Sequence, residues 1–427
     1  MKSEYKKRII DKIIEKNMRV FGGVLIEGAK LTGKSTTCSQ LAKTIIKFQD
    51  TELKEFYKTA VSTNPTSLLV GEKPILFDEW QDNPAIWDTI RHNADETGNS
   101  GEYLLTGSEN KNKDEVMHTG TGRIVGLKMY PMSLYESNDS DGKISLEDLF
   151  NGKDNIIAQS DITIEKIIDL LIRGGFPRTV DMSVEDARVL MNGYYKTLIN
   201  EKIKTIDGVK RDPKKMDSLL KSYARNISTY ATDSTIKKDM ENEDIEMSDV
   251  TFRDYKNTLE KLYIIDNVES WPTTLRSKKS IRKSDKKMLI DPSIVSSALG
   301  LSKEKIMRDF NFFGFLFEAM CIRDLRIYIE SLDGNIYHYY EQNTNKNAKD
   351  YEIDAILELR DGRWGAIEIK LGADQIDDAA AKLLELRTKI DTDKKGKPSF
   401  LMVLYGGKGS YKREDGVLVV SVGCLKN

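Results

Sequence analysis

The chain has 427 residues, of which 39% are hydrophobic, and this is enough for two or three separately packed cores. Its 66 Lys and Arg residues nearly balance its 68 Asp and Glu residues, which excludes a global positive field that would draw the protein to nucleic acid or anionic lipid. Any such attraction must therefore be local.

The cysteines and the apolar segments indicate the cellular compartment in which the protein is expected. Cys38, Cys321 and Cys424 lie far apart, with only three histidines to join them, which argues against a zinc site and favours a reducing cytosol. The most apolar run, FNFFGFLFEAMCI, is too short to span a bilayer, and the charged amphipathic N-terminus has no signal-peptide core. We expect a cytoplasmic protein without a membrane partner.

The order of apolar strands and helical periods predicts an α/β multidomain chain. A parallel P-loop sheet comes first, and a polar stretch, ESNDSDGKISLEDLFNGKDN, then reads as a long connection or an insertion. A helical segment follows this stretch. The next three helices and a strand suggest a winged helix-turn-helix, and a second α/β domain comes last. The predicted parts are 1–136, 137–212, 213–300 and 301–427.

The clearest motif is GAKLTGKS, which fits the phosphate-loop pattern at every specified position, between the strand VLIE and a helix. Its glycines let backbone N–H groups face phosphates, its lysine neutralises the β- and γ-phosphate oxygens, and its serine ligates Mg²⁺. The alternative is a glycine-rich strand–helix turn. The predicted ATP-binding residues here are Gly28, Gly33, Lys34, Ser35 and Thr36.

Asp78 and Glu79 end the apolar strand in ILFDEW, 43 residues after Ser35. A carboxylate at the end of a buried strand can hold the Mg²⁺ shell, and the adjacent Glu can orient and deprotonate the attacking water. We predict that Asp78 binds the metal together with Ser35, and that Glu79 is the general base.

Two further polar positions follow. Thr106 and Ser108 end the strand of YLLTGS, where a hydroxyl could reach the γ-phosphate or the water, the alternative being a simple turn. Arg123 follows two glycines in HTGTGR and is a candidate arginine finger, supplied from its own chain or from a second copy. The alternative is a strand-edge arginine paired with a surface carboxylate.

These motifs, with YPMSLYE, GGFPR, LIDPSI and GFLFE in the same order, resemble the prokaryotic AAA+-type ATP-binding proteins. In that family an ATPase core precedes a winged helix and a C-terminal domain of unknown function with a restriction-endonuclease-like fold. The resemblance covers nearly the whole chain. It implies phosphate-loop, metal, base, sensor and finger roles for Lys34, Ser35, Asp78, Glu79, Ser108 and Arg123.

The middle of the chain offers one local basic patch. The candidate recognition helix SDVTFRDYKNTLEKL has balanced charges and is a weak reader of DNA. The loop after it is basic and predicts salt-dependent contacts to DNA phosphates, the alternative being a solvated hairpin. The predicted nucleic-acid residues are Arg276, Lys278, Lys279, Arg282 and Lys283, and Lys286 and Lys287 continue the cluster.

The last candidate site depends on the parity of one hairpin loop, in YEIDAILELRDGRWGAIEIK. A two-residue turn at Asp361-Gly362 would pair Asp354 with Ile369 and send Glu368 to the opposite face. A three-residue loop over 360–362 would pair Asp354 with Glu368 and place its glycine in a left-handed conformation.

With the three-residue loop, two carboxylates face each other and need compensation. Lys370 supplies one positive charge, and Mg²⁺ or Mn²⁺ could supply two, with Glu318 as a third carboxylate. The order resembles the PD-(D/E)xK nucleases, which implies that Asp354, Glu368 and Glu318 hold the metal and Lys370 assists catalysis. The alternative is a charged sheet face in which Glu352 pairs with Lys370.

The leading hypothesis is therefore an ATP-hydrolysing protein that acts on DNA through a winged helix and a metal-dependent nuclease-like domain. The alternatives are a regulatory ATPase whose last domain is a non-catalytic interaction module, and a remodeller of proteins. ATP and Mg²⁺ are the expected cofactors, and DNA and a second copy of the chain are the candidate partners.

Overall fold

The computed structural model describes residues 4–108, 120–200, 209–272, 284–342 and 350–427. The chain divides into two units. The first is formed mainly by the residues up to Pro131, with Asn257–Ile264 added, and the second by most of the chain from Met132 onward. The finer division into four parts stays a prediction.

The first unit contains a parallel sheet of five strands, in the order β2-β3-β4-β1-β5. Its elements are α1 Ile9–Met18, β1 Gly23–Glu27, α2 Lys34–Leu41, β2 Thr44–Lys47, α3 Lys54–Thr63, β3 Ile75–Asp78, α4 Ala85–Thr97, β4 Tyr103–Gly107 and β5 Ile124–Lys128. Strands β1 and β4 are buried along their whole length, which explains their continuous apolar sequences. The predicted parallel α/β sheet is confirmed.

Two apolar layers cover this sheet. Leu25, Phe77 and Leu105 pack on one side, and Val24 and Leu104 pack on the other. Because all five strands run in the same direction, the loops that follow β1, β3 and β4 meet at one edge. That edge receives the predicted nucleotide-binding residues.

The second unit begins with short elements and continues as helices, as predicted for the middle of the chain. They are β6 Ile144–Ser145, α5 Leu146–Phe150, β7 Ile157–Gln159, α6 Ile164–Arg173, α7 Pro177–Val180, α8 Val184–Asn200, α9 Pro213–Arg225, α10 Asp233–Glu241, α11 Asp249–Lys261, α12 Pro292–Leu299 and α13 Lys303–Arg308. The last residues of α11 belong to the first unit.

A mixed sheet of seven strands completes the second unit, in the order β7-β12-β13-β11-β10-β9-β8. Its elements are α14 Phe310–Ser331, β8 Gly334–Glu341, β9 Tyr351–Leu359, β10 Trp364–Lys370, α15 Ile376–Lys389, α16 Thr392–Lys395, β11 Phe400–Tyr405, β12 Gly409–Lys412 and β13 Leu418–Ser421. A short strand, β14 Leu425–Lys426, follows. Strands β8, β9 and β10 are antiparallel neighbours, whereas β10, β11 and β13 are parallel.

The polar stretch that was predicted to be a long connection or an insertion contains two ordered elements, β6 and α5. Ser145 accepts a hydrogen bond from the backbone N–H of Asp148 and so caps α5. Strand β6 pairs with β14 at the end of the chain, and β7 pairs with β12. These partners lie more than two hundred residues away, so local sequence could not reveal them.

No helix within the described ranges combines the length and the apolar character that crossing a membrane requires.

Candidate functional site

The phosphate loop lies between β1 and α2, as its sequence predicts. Gly28 has a φ of +152°, and a Cβ at this position would lie 2.3 Å from the carbonyl oxygen of Met129, so only glycine fits. Gly33 is left-handed, with a φ of 98°, and immediately precedes α2. Lys34, Ser35 and Thr36 therefore form the first turn of that helix, where unpaired backbone N–H groups favour an anion.

Lys34 lies folded against its own loop. Its ammonium group donates hydrogen bonds to the carbonyl oxygens of Gly28, at 2.8 Å, and Ala29, at 2.9 Å. Burial lowers the pKa of Lys34 to about 8, although the charges of Glu79 and Asp78 act in the opposite direction. The side chain is thus a buried cation whose present partners are neutral carbonyl groups.

This burial predicts a proton linkage to nucleotide binding. Phosphate oxygens stabilise the charged form of Lys34, so binding should take up about half a proton at pH 8 and close to one at pH 9. Affinity should fall as pH rises through 8, because the free protein must then be protonated first. Calorimetric titration with ATP in two buffers of different ionisation enthalpy measures the uptake. An uptake of zero at pH 8.5 would contradict the linkage.

Asp78, at the end of β3, contacts side chains from α2 and from β4. Ser35 donates a hydrogen bond to Asp78 Oδ1 at 2.6 Å, and Thr106 donates to the same oxygen at 2.5 Å. The Ser35 hydroxyl and the Asp78 carboxylate are two hard oxygen ligands, so together they fit a Mg²⁺ whose remaining ligands are phosphate oxygens and water. The predicted metal pair is brought together.

Glu79 is held from two sides. Its Oε2 accepts a hydrogen bond from Ser108 Oγ at 2.9 Å and another from Gln81 Nε2. Its backbone is left-handed, with a φ of 57°, and its N–H donates to Thr106 Oγ1 at 3.1 Å. Strand β4 lies between β1 and β3, so Ser108, which follows β4, lies at the same edge of the sheet as the phosphate loop and the acidic pair.

Gln81 was missed by the sequence analysis. It is buried, and its amide reaches back to the carboxylate two residues earlier. The signal was present in LFDEWQ, since a left-handed residue followed by a turn can bring positions i and i+2 together. The structure therefore adds Gln81 to the group that orients Glu79.

Arg123 lies at the other edge of the sheet. It immediately precedes β5, whose first residue Ile124 pairs with Gly23 at the start of β1, whereas the phosphate loop follows the end of β1. At a rise of about 3.3 Å per residue, five residues separate the two edges by roughly 16 Å. In this structure Arg123 therefore does not contact the phosphate loop of its own chain, and its role as an arginine finger stays a prediction. Its guanidinium instead pairs with Asp95 on α4, as the surface-pair alternative expected.

The sequence of residues 21–138 matches the AAA domain family. The N-terminal region is an AAA-type P-loop domain. Residues 164–305 match a domain of unknown function, DUF8612, and residues 313–425 match another, DUF4143. The comparison with curated proteins finds no match.

Two solved structures are similar to parts of this chain. The Walker-type ATPase PABY2304 of Pyrococcus abyssi has 15% identity and a TM-score of 0.43, with 70% of this chain and 97% of that chain covered. The Drosophila ORC bound to DNA has 11% identity and a TM-score of 0.20, with 68% and 85% covered.

In the second unit, the hairpin has the three-residue loop. Trp364 pairs with Glu358 and Ile367 with Ala355, the register that places Asp354 opposite Glu368. The backbone N–H of Leu359 donates to the carbonyl of Arg363 at 2.8 Å, and Gly362 is left-handed, with a φ of 88°. The parity on which the site depended is confirmed.

The predicted charged residues of this hairpin do converge. Lys370 Nζ lies 3.1 Å from Asp354 Oδ2 and 2.8 Å from Glu368 Oε2, so the alternative pairing with Glu352 is replaced by these two contacts. The backbone N–H of Ile369 also donates to Asp354 Oδ2 at 2.8 Å.

Two lysines outside the predicted set enter the same cluster. Lys286 Nζ lies 2.5 Å from Glu318 Oε1 and 3.6 Å from Asp354 Oδ1, and Lys382 Nζ lies 3.1 Å from Glu368 Oε1. Within the described ranges, no group of three or more His, Cys, Asp or Glu side chains is arranged to hold a metal ion. The predicted metal set of Glu318, Asp354 and Glu368 is paired with lysines.

The predicted DNA-contacting residues Arg276, Lys278, Lys279, Arg282 and Lys283 lie outside the described residues. Lys286 and Lys287, which continue that cluster in sequence, are buried, with only 1% and 4% of their surfaces exposed. They are therefore not surface contacts for phosphate. On α10 and α11, charges pair internally, as Lys237 does with Asp249 and Lys256 with Asp233.

Proposed function

We propose that the chain hydrolyses ATP at the carboxyl edge of the parallel sheet and that the nucleotide cycle regulates an interaction made by the rest of the chain. The observation that carries this proposal is the arrangement of Asp78 and Glu79 beside the phosphate loop. Asp78 contacts Ser35, and Glu79 is oriented by Ser108. Such a pair separates a metal-binding carboxylate from a carboxylate that can take a proton.

The reaction would use the described residues in order. Backbone N–H groups at the start of α2 and the ammonium of Lys34 hold the phosphates, for which Lys34 must leave the carbonyl oxygens of Gly28 and Ala29. Ser35 and Asp78 would hold Mg²⁺, which would supply charge neutralisation at the phosphates. Glu79 would orient a water in line with the γ-phosphate and accept its proton on the carboxylate, while Ser108 and Gln81, which donate to Oε2, keep that carboxylate in place.

Arg123 fits a role in an assembly. Because it lies at the edge opposite the phosphate loop of its own chain, it could reach a γ-phosphate only in a second copy, after release from Asp95. We accordingly propose a homo-oligomer in which Arg123 acts across the contact between copies.

For the rest of the chain, we propose a helix-turn-helix in α9 to α11 and a restriction-endonuclease-like fold in the seven-stranded sheet. The internal charge pairs of α10 and α11 favour the regulatory alternative over direct reading of DNA bases by these helices. The basic residues at 276–283 stay a proposed contact to DNA phosphates.

Steady-state ATP hydrolysis and ATP affinity test this function. Lys34→Ala should weaken ATP binding roughly 10- to 100-fold, because a hydrogen bond between charged groups is worth about 1.5 to 3 kcal/mol. Lys54→Ala, at an exposed position of α3, is the matched control and should change neither quantity. Wild-type protein without ATP turnover, or Lys34→Ala with unchanged affinity, would reject the proposal.

The same ATP-hydrolysis assay distinguishes a DNA-directed ATPase from a regulatory ATPase or a protein remodeller. Linear, branched and single-stranded DNA are added in turn to the wild-type protein. A regulatory ATPase or protein remodeller keeps its basal rate, whereas a rate that rises with one form of DNA identifies a DNA-directed ATPase.

A further inference from the structure

We infer that the charge cluster of the second unit contains its own cation, the ammonium group of Lys286, and that this lysine takes the place of a divalent metal. The cluster would then stabilise the fold and would not cut nucleic acid. A metal-dependent nuclease needs carboxylates that share one open metal position. Glu318 and Asp354 contact Lys286 instead, and Asp354 also contacts Lys370.

Both the backbone and the side chain of Lys286 are held in place by neighbouring residues. Its backbone pairs with Val268 in an antiparallel bridge, donating to the Val268 carbonyl at 2.9 Å and accepting at 3.0 Å. Its side chain is 2% exposed and passes over the ring of Tyr230, with Nζ 5.3 Å from the centroid. A side chain with this little freedom and this much backbone support is a fixed part of the site.

The ammonium contacts match what a bound cation would need. Nζ donates to Glu318 Oε1 at 2.5 Å and to the backbone carbonyl of Asp354 at 3.3 Å, and it lies 3.6 Å from the Asp354 carboxylate. Burial is the largest single effect on Lys286 and by itself would lower its pKa, but Glu318, Tyr230 and Asp354 together outweigh burial and raise the pKa well above its ordinary value. The lysine is therefore charged.

The cluster contains as many lysines as carboxyl groups. Three carboxylates from α14, β9 and β10 face three ammonium groups, and each carboxylate has at least one lysine within 3.1 Å. The carboxylates are Glu318, Asp354 and Glu368, and the lysines are Lys286, Lys370 and Lys382. A divalent ion would add two positive charges to a buried group that already holds three lysine side chains, which is unfavourable unless a lysine leaves.

A double-mutant cycle between Lys286 and Glu318 tests the structural part. Lys286→Met and Glu318→Gln should each lower the thermal midpoint by about 10 °C, since each leaves one buried charge without its partner. The double variant should recover most of that loss, because both charges are gone. Lys153→Met, which breaks an exposed pair with Asp148, is the matched control and should melt like the wild type. Additive losses in the double variant would overturn the inference.

Binding of Mn²⁺ without nucleotide, measured by electron paramagnetic resonance, tests the metal part. Asp78→Asn removes the metal-binding carboxylate of the P-loop domain, and this variant should retain no tightly bound Mn²⁺. The Asp78→Asn variant could instead retain one Mn²⁺ per chain, and the double variant Asp78→Asn, Asp354→Asn could lose that ion. Those two results together would show that the cluster is a metal site, and the inference would fail. This readout does not depend on ATP turnover, so it stands apart from the proposed function.

Discussion

Replacing Glu79 with Gln is expected to lower kcat for ATP hydrolysis by roughly 10²- to 10⁴-fold, with ATP affinity within a few-fold of the wild type. The amide has the shape of the carboxylate but cannot accept the proton of the attacking water. Such a loss corresponds to about 3 to 5 kcal/mol in the activation free energy. Binding persists because the phosphates are held by the loop and by Lys34, which the substitution leaves intact.

The geometry makes Glu79 the better candidate base of the acidic pair. Asp78 Oδ1 already accepts hydrogen bonds from Ser35 and Thr106, so its role is tied to the loop and to the metal. Glu79 has its Oε2 fixed by Ser108 and Gln81, and burial of those two partners limits how far it can move. Two neighbouring carboxylates thereby have different surroundings, as a metal ligand and a base require.

Single-turnover and steady-state rates, measured with bound nucleotide quantified separately, check this expectation. Glu96→Gln makes the same chemical change at an exposed position of α4 and should turn over ATP at the wild-type rate. If Glu79→Gln retained kcat within a few-fold of the wild type, the base would have to be another group. A loss of binding instead of kcat would place Glu79 in nucleotide recognition.

The first unit was largely predictable because its chemistry follows short, contiguous rules. The phosphate loop needs Gly28 and Gly33 at backbone positions that other residues fit poorly, and both glycines are visible in the sequence. The acidic pair and Ser108 follow apolar strands, and parallel strands end at one edge. The same rule could have located Arg123, since it precedes the strand IVGLK and therefore belongs to the opposite edge.

In the second unit, the candidate site was predictable only at the β9–β10 hairpin, where the residues of the loop determine the pairing register of the two strands. Gly362 selects the three-residue loop, and that loop brings Asp354 and Glu368 together. Lys286 was grouped with a surface patch because its neighbours in sequence are basic. Its burial depends on Val268, α14 and β9 arriving around it, and none of these is adjacent in the chain. Contacts between distant segments leave no periodic or local signal.

The second prediction with a large effect concerns the buried ionic network around Arg323 on α14. Its guanidinium donates to Asp291 Oδ2 at 2.8 Å and to Asp324 Oδ1 at 2.7 Å, and all three side chains are buried. Asp291 in turn accepts from the backbone N–H of Gly175, and Asp324 from that of Leu134. The motifs YPMSLYE, GGFPR and LIDPSI therefore meet at one arginine.

Gly175 shows how closely these segments approach. A Cβ there would lie 2.2 Å from the carbonyl oxygen of Met132 and 2.8 Å from the guanidinium of Arg323. The second glycine of GGFPR is thus required by packing around the arginine. Three of the motifs that carried the family resemblance therefore contact one another within the second unit.

Arg323→Met should lower the free energy of unfolding of the second unit by about 3 to 5 kcal/mol, because it leaves two buried carboxylates without their cation. Burial raises the pKa of Asp324 to about 6, even beside Arg323. Without the arginine, protonation relieves the unpaired charge, so the deficit should be smaller at pH 5 than at pH 8. Urea-dependent hydrogen exchange in peptides from α14 measures both quantities.

Arg360→Met is the matched control, because Arg360 pairs with Asp333 at 3.4 Å on the surface. That pair is screened by water, and its loss should cost less than about 0.5 kcal/mol at either pH. Equal losses in the two variants would mean that Arg323 contributes only its packing, and a deficit independent of pH would mean that the carboxylates find other partners. A large deficit that shrinks with acid, seen only for Arg323, would establish this network as the ionic centre that joins the helical middle to α14.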